Sequence, residues 1–360
     1  MKRLAPVVLV ALGFLVGCGT EYGAVDRISQ ESETPLVDRR GTVIADGCAL
    51  DGWQRAVLHA PSTKRVLKEV VLLCGTTRDA GNVGPADASA RGAVTELVTA
   101  LRADGYAVKL GVSFTDETGQ RYDGAQIAKH LGDAQWVASM QASIAEFAAL
   151  ADGIEIDIQR IGAGSRALVT AFVAGTSAKL RPASKTLGVF VPPSTTDPSD
   201  LPGGDAFDVG AIAPYVDRIR VMTLDYTEAG SGPTLDPGWA VDAIRLALKK
   251  AGTVPVDVSV PLYGTDFSSY GTRPISYVEA MGFAYVAKVP VQRGVTQAPH
   301  VDWRDGAGVQ HYTWFDDRVS TIAALRAWDP STMPPGVGVV YYGFGAEDPT
   351  LWDGIAKELP

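Results

Sequence analysis

The stretch Ala151-Asp152-Gly153-Ile154-Glu155-Ile156-Asp157-Ile158-Gln159 decides how the rest of the chain is read. Asp-Gly is a turn into the strand, and beyond it isoleucine alternates with polar residues at period two. A β-strand therefore presents Glu155, Asp157 and Gln159 on one face and Ile154, Ile156 and Ile158 on the other. In a closed parallel barrel the isoleucines pack under helices and the acids point into the lumen. Two carboxylates buried side by side are costly unless they are hydrogen-bonded or share a proton, so a fold seldom places them there for stability alone.

Working outward, short β-branched runs alternate with segments of helical spacing, the pattern of a parallel sheet with crossover helices. Strands are predicted at 66–74, 107–114, 153–159, 186–191, 218–226, 256–262 and 336–342, with an eighth near Val43 or at 53–58. Helices are predicted at 90–103, 134–151, 165–180, 239–251 and 320–328, several of them ending at glycine. Eight strands fit a (β/α)₈ TIM barrel spanning 46–360; an open doubly wound sheet is the other architecture. The barrel is preferred because polar residues gather at the C-terminal ends of many different strands, where barrels assemble their sites. Residues 268–312 break the alternation with Tyr, Pro, Gly and mixed charge. They read as an insertion after the seventh strand that forms one wall of a cleft.

The N-terminus carries a second signal. Met1-Lys2-Arg3 is basic, and residues 4–17 form an apolar run too short for a membrane helix of ~20 residues. The run closes on Leu15-Val16-Gly17-Cys18, similar to the lipobox of bacterial lipoproteins. That resemblance implies a signal peptide at 1–18, acylation of Cys18, and an exported protein held on a bacterial membrane by its lipid, at the outer membrane and facing the periplasm or the surface. Residues 19–45 are polar and read as a tether. Cys48 and Cys74 remain, an even number in an oxidising compartment; they form either a disulfide or two buried thiols.

Composition limits the partners. A net charge of −9 argues against nucleic acid, whose phosphates need a basic face. Seven Trp and twelve Tyr supply aromatic surfaces on which neutral sugar rings stack. The four histidines, His59, His130, His300 and His311, show no close metal-ligand spacing, and neither metal nor cofactor is expected. Gly162-Ala163-Gly164-Ser165 lacks the Lys-Ser/Thr pair of a phosphate loop, and no Gly-x-Ser-x-Gly elbow is present.

The Asp152–Gln159 stretch resembles the signature of glycoside hydrolase family 18, in which Asp-Gly is followed by Asp, Asp and Glu at alternate positions. What the resemblance implies is a chitinase-like barrel in which the last residue is the general acid. The preceding aspartate orients the substrate's N-acetyl group, whose oxygen attacks the anomeric carbon. Asp157 takes the aspartate's place, Glu155 replaces the first inward aspartate, and Gln159 stands where the acid belongs. An amide cannot surrender a proton, and general acid catalysis contributes roughly 10²–10⁴-fold.

Met222-Thr223-Leu224-Asp225-Tyr226 resembles the family's Met-x-Tyr-Asp motif, with Leu224 for the usual tyrosine and Tyr226 as its substitute. Pro261-Leu262-Tyr263-Gly264, Ile275-Ser276-Tyr277-Val278-Glu279-Ala280 and Trp314-Phe315-Asp316-Asp317 look most like the spore-germination and cortex-lytic branch, as its seventh-strand motif, its insertion and the start of its last helix. Tyr342 takes the place of the family's tryptophan floor.

The resemblance implies a barrel that binds β-1,4-linked N-acetylglucosamine polymers, peptidoglycan or chitin, through Met222, Asp225, Tyr226, Tyr263 and Tyr342, with hydrolysis lost or very slow. Two alternatives stand beside it. One is a working hydrolase using another carboxylate, Glu228 or Asp266; the other is a barrel that serves as a platform for protein partners.

Overall fold

The computed structural model describes residues 35–84, 88–114, 123–199, 201, 203–227 and 230–360. Residues 36–360 form one compact unit. Cys18 and the segment read as a signal peptide lie outside the described residues.

Seven strands follow in order: β1 (Gly41–Asp46), β2 (Leu67–Thr76), β3 (Ala107–Ser113), β4 (Gly153–Asp157), β5 (Thr186–Val191), β6 (Arg218–Val221) and β7 (Val256–Pro261). An insertion then carries β8 (Gly264–Ser268), β9 (Gly271–Ile275), β10 (Gln292–Arg293), β11 (Pro299–Arg304) and β12 (Gln310–Trp314) before the chain returns through β13 (Gly338–Tyr342). The eight strands β1 to β7 and β13 close into a barrel, every neighbouring pair parallel, with β13 between β7 and β1. Helices surround it, as the crossovers of a parallel sheet require, and the predicted (β/α)₈ barrel is the observed fold.

Several boundaries differ from the sequence reading. The eighth strand is the one at Val43, while 53–58 lies inside the helix Gly52–His59, whose capping box joins Asp51 and Gln54. The barrel thus begins within the segment read as a tether at 19–45. Leu36 N donates to the Glu358 carbonyl, and the buried Arg39 guanidinium donates to the carbonyls of Trp328, Met333, Pro334 and Val337, so the chain is already docked there. The strand predicted at 218–226 stops at Val221, after which Thr223 N and Leu224 N bond back two residues and the ladder dissolves into tight turns. Asp317 caps a helix, Arg318–Ala327, but Leu351–Glu358 is the last one.

The insertion is larger than 268–312. Its five strands form an antiparallel sheet in the order β10-β11-β12-β8-β9, covered by the helix Tyr277–Ala287, with a small core of its own around Val301, Phe315 and Ala280.

Candidate functional site at the barrel mouth

The barrel lumen is layered. At its base Arg220 of β6, wholly buried, donates to Glu155 of β4 at 2.9 and 2.8 Å, to Asp257 of β7 at 2.8 Å, and to Glu69 of β2. Lys109 of β3 adds a bond of 3.0 Å to Glu155, and Arg40 and Arg218 each reach Asp257 at 2.7 Å. Glycines on the inward face make room for these groups. A Cβ on Gly188 would lie 2.0 Å from Glu155 Oε2, and one on Gly338 2.3 Å from Asp257 Oδ1. Burial would raise the Glu155 and Glu69 carboxyls, but the charges of Arg220 and Lys109 outweigh it and hold both below the usual carboxylate range.

Above this ionic layer lies an apolar one, Ile44, Val71, Phe190 and Val340, all buried. Above that in turn, the C-terminal ends of the strands open into the mouth. Asp157, two residues along β4 from Glu155 and so about 6.6 Å further up the strand, belongs to the mouth. Its Oδ2 accepts from Ser113 Oγ at 3.2 Å, and Gln159 Nε2 donates to its two oxygens at 2.9 and 3.1 Å.

The site residues read from the sequence therefore separate. Asp157, Gln159, Met222 and Tyr342 meet in one small pocket with Leu224 and Ser259. Gln159, Met222, Asp225, Tyr226, Tyr263 and Tyr342 line a cavity of about 710 Å³ that opens from it. Glu155 is not part of either; the ionic layer holds it beneath the apolar one, which corrects the expectation that the two buried acids of β4 serve one site. The cost of burying Glu155 is met by the cations of β3 and β6, which the local sequence of β4 does not reveal.

The early end of β6 has a consequence for the Met222–Tyr226 motif. Residues beyond Val221 no longer alternate, so Leu224, Asp225 and Tyr226 all line the same cavity. Asp225 sits in the left-handed region at φ 54° and accepts a 2.6 Å hydrogen bond from Tyr263 Oη. Burial, followed by that carboxylate, raises the Tyr263 phenol well above its ordinary pKa, so the hydroxyl keeps its proton and remains a donor. Tyr263 meets Tyr342 edge to face at 6.1 Å, and Tyr226 leans on Trp239 at 5.2 Å.

A second cavity of about 930 Å³ adjoins the first and shares Arg160, Asp225, Tyr263 and Tyr342 with it, so the two make one groove across the mouth. Its far wall is the insertion, through Thr265, Phe267, Thr272, Arg273, Ser276 and Glu279, as the sequence reading anticipated.

Asp266, between Thr265 and Phe267 on β8, turns the other way. It is buried, with Oδ2 facing His311 Nδ1 at 2.7 Å and Oδ1 accepting from Thr313 Oγ1 at 2.7 Å. That removes it as a replacement acid; Glu228 lies outside the described residues. Cys48 and Cys74, at the ends of β1 and β2, are free thiols, Cys48 Sγ donating to the Cys74 carbonyl at 3.2 Å.

The sequence reading missed Arg160, Trp239 and Asp316. Asp316 is fully buried beside the mouth, hydrogen-bonded by Ser320 Oγ at 2.9 Å and by Thr234 Oγ1. Burial pushes its carboxyl up to about 7, against the lowering effect of those two hydroxyls. In the sequence it stands within Trp314-Phe315-Asp316-Asp317, beside the helix-capping Asp317, and nothing local marks it as buried.

No family model matches the chain. A cortical fragment-lytic enzyme of Bacillus anthracis is 26% identical to it over 208 residues, 55% of this chain and 47% of that protein; the match thus spans about half the relative's length. Among solved structures, the spore cortex-lytic enzyme SleL of Bacillus cereus superposes with a TM-score of 0.74 at 18% identity, over 90% of this chain and 75% of that one. A chitinase of Chromobacterium violaceum gives 0.72 at 20% identity, over 88% and 98%. The chain is thus similar in sequence to a cortex-lytic enzyme and shares the barrel fold of cortex-lytic enzymes and chitinases.

Proposed function

We propose that this protein is a membrane-anchored lectin-like barrel that holds β-1,4-linked, N-acetylglucosamine-containing glycan, peptidoglycan or chitin, in the groove across its mouth, with hydrolysis lost or very slow. The observation that carries the reading is the pairing of Gln159 with Asp157 at the head of β4. The position that overlooks the groove from above Asp157 is filled by an amide whose NH₂ group is committed to that carboxylate. Such a group orients Asp157 but has no acidic proton to deliver to a glycosidic oxygen. The surrounding Asp225, Tyr263, Tyr226 and Tyr342 supply hydrogen-bonding and aromatic surface suited to a neutral sugar ring.

The relatives' activities support the ligand class. Diversion of Asp266 into its pair with His311 removes one route by which a different acid could take over.

Gln159→Glu in the full-length chain, held in detergent, tests the reading. Restored cleavage of N-acetylglucosamine oligomers, by about 10²–10⁴-fold over the parent, is the expected result. Calorimetric titration of the parent should saturate without turnover. No saturation by any glycan, together with a silent Gln159→Glu variant, sinks the proposal. For the anchor at Cys18, palmitate labelling that disappears in Cys18→Ala, with release of the protein from the membrane fraction, is the expected outcome.

A further inference from the structure

The residue after Gln159 carries an unassigned cation. Arg160 adopts φ 59°, the left-handed region that a side chain enters at a cost. Its neighbours clamp the turn in that state: a Cβ on Gly124 would stand 2.4 Å from the Arg160 carbonyl oxygen, and one on Gly203 would stand 2.5 Å from that of Ile161. The turn is therefore built, and it delivers the Arg160 side chain to the boundary between the two cavities, where it lines both. The other charges of the groove have partners. Asp225 accepts from Tyr263, Asp157 from Gln159 and Ser113, and Arg273 is paired with Glu279 at 3.0 Å. Arg160 has neither an ion pair nor a hydrogen bond among the described residues.

Resting on the glycan reading, we infer that Arg160 is a specificity-determining residue that selects glycans whose sugars bear carboxylates over the neutral N-acetylglucosamine polymer. An arginine offers a planar fork of donors that matches a carboxylate in two-point contact. The net charge of −9 repels an acidic polymer at long range, so the preference has to come from this short-range contact rather than from a basic surface. Two sources would present the chemistry: a free lactyl carboxylate on muramic acid, or the acids of a peptide stem attached to it.

Calorimetry on the full-length chain in detergent, with three tetrasaccharides of equal length, tests this. One is all N-acetylglucosamine, one alternates it with stem-free muramic acid, and one bears peptide stems. The acidic oligomers are expected to bind about tenfold more tightly than the neutral one at low salt, and the gap should narrow at about 0.5 M NaCl. Arg160→Gln should bring the acidic ligands down to the neutral ligand's affinity, and Arg160→Lys should retain part of the gap. The acidic arm that loses more identifies the source of the carboxylate. Equal binding of all three by the parent, or an equal loss for all three in Arg160→Gln, overturns the inference while the glycan reading stands. Absence of binding to any of them overturns both.

Discussion

Glu155 and Asp157 are two residues apart, on one face of one strand, and the fold gives them different work. Glu155 is surrounded by Arg220 and Lys109 in a layer sealed under Ile44, Val71, Phe190 and Val340. Asp157 accepts from the neutral Ser113 and Gln159 and lines a small pocket at the barrel mouth. The lower layer shows acids neutralised by basic residues on neighbouring strands; the upper shows an acid left beside space that a ligand can occupy. Identical chemistry in a strand thus divides into structure and site according to depth in the barrel.

The comparison is most severely tested at its centre. Arg220→Ala strands Glu69, Glu155 and Asp257 in the lumen, and a loss of about 3–5 kcal/mol in denaturant unfolding is expected, enough to unfold a marginal barrel. Next in size is the contrast along β4 itself. Glu155→Gln should cost about 1–3 kcal/mol of stability through its two buried bonds to Arg220 and leave glycan affinity alone. Asp157→Asn should do the reverse, lowering glycan affinity about tenfold with little change in the unfolding curve. Equal stability losses for both variants would erase the distinction between the layers.

The pH dependence separates the layers again. Glu69 and Glu155 are held below the ordinary range, so their contribution is complete above the unfolded value of about 4.3 and is lost as pH falls through the folded one. Asp316 behaves oppositely. Folded, it keeps its proton up to about pH 7, whereas the unfolded carboxyl releases it near ~4. The native state therefore binds more protons between these values, and stability falls as pH rises through that window. Asp316→Asn should flatten a decline on the order of 3 kcal/mol between pH 4 and 7, read as melting temperature against pH. A profile unchanged by the substitution would mean that Asp316 does not titrate there.

The smallest effect is predicted for Tyr263→Phe. It removes one hydroxyl from Asp225 and should weaken glycan binding by about 0.5–1.5 kcal/mol while leaving the fold intact.

Much of the architecture was legible because it depends on local pattern. Thr186–Val191 is the predicted strand to the residue, and β4 follows from the Ile alternation. The failures also have local causes. At β6 the mixed pattern continues past Val221 while the backbone turns at Thr223 and Leu224 and reverses hand at Asp225. At β1 the strand near Val43 is one of two candidates in the sequence, but the tether reads through to residue 45 because the docking of Leu36 and Arg39 on the chain's far end leaves no local pattern. Arg160 was passed over because its importance comes from a left-handed turn that glycines 36 and 43 residues away permit.

By itself, then, the sequence determined the barrel's periodicity, the same-face placement of Glu155, Asp157 and Gln159, and the presence of an amide, Gln159, at the end of that face. Those properties belong to the side chain and to a two-residue repeat, and no partner is needed to define them. The tertiary structure alone decided which acid meets a cation and which faces the groove. Arg220 lies 65 residues from Glu155 and 151 from Glu69, and only the stagger of strands around a closed barrel sets the depth at which such groups meet.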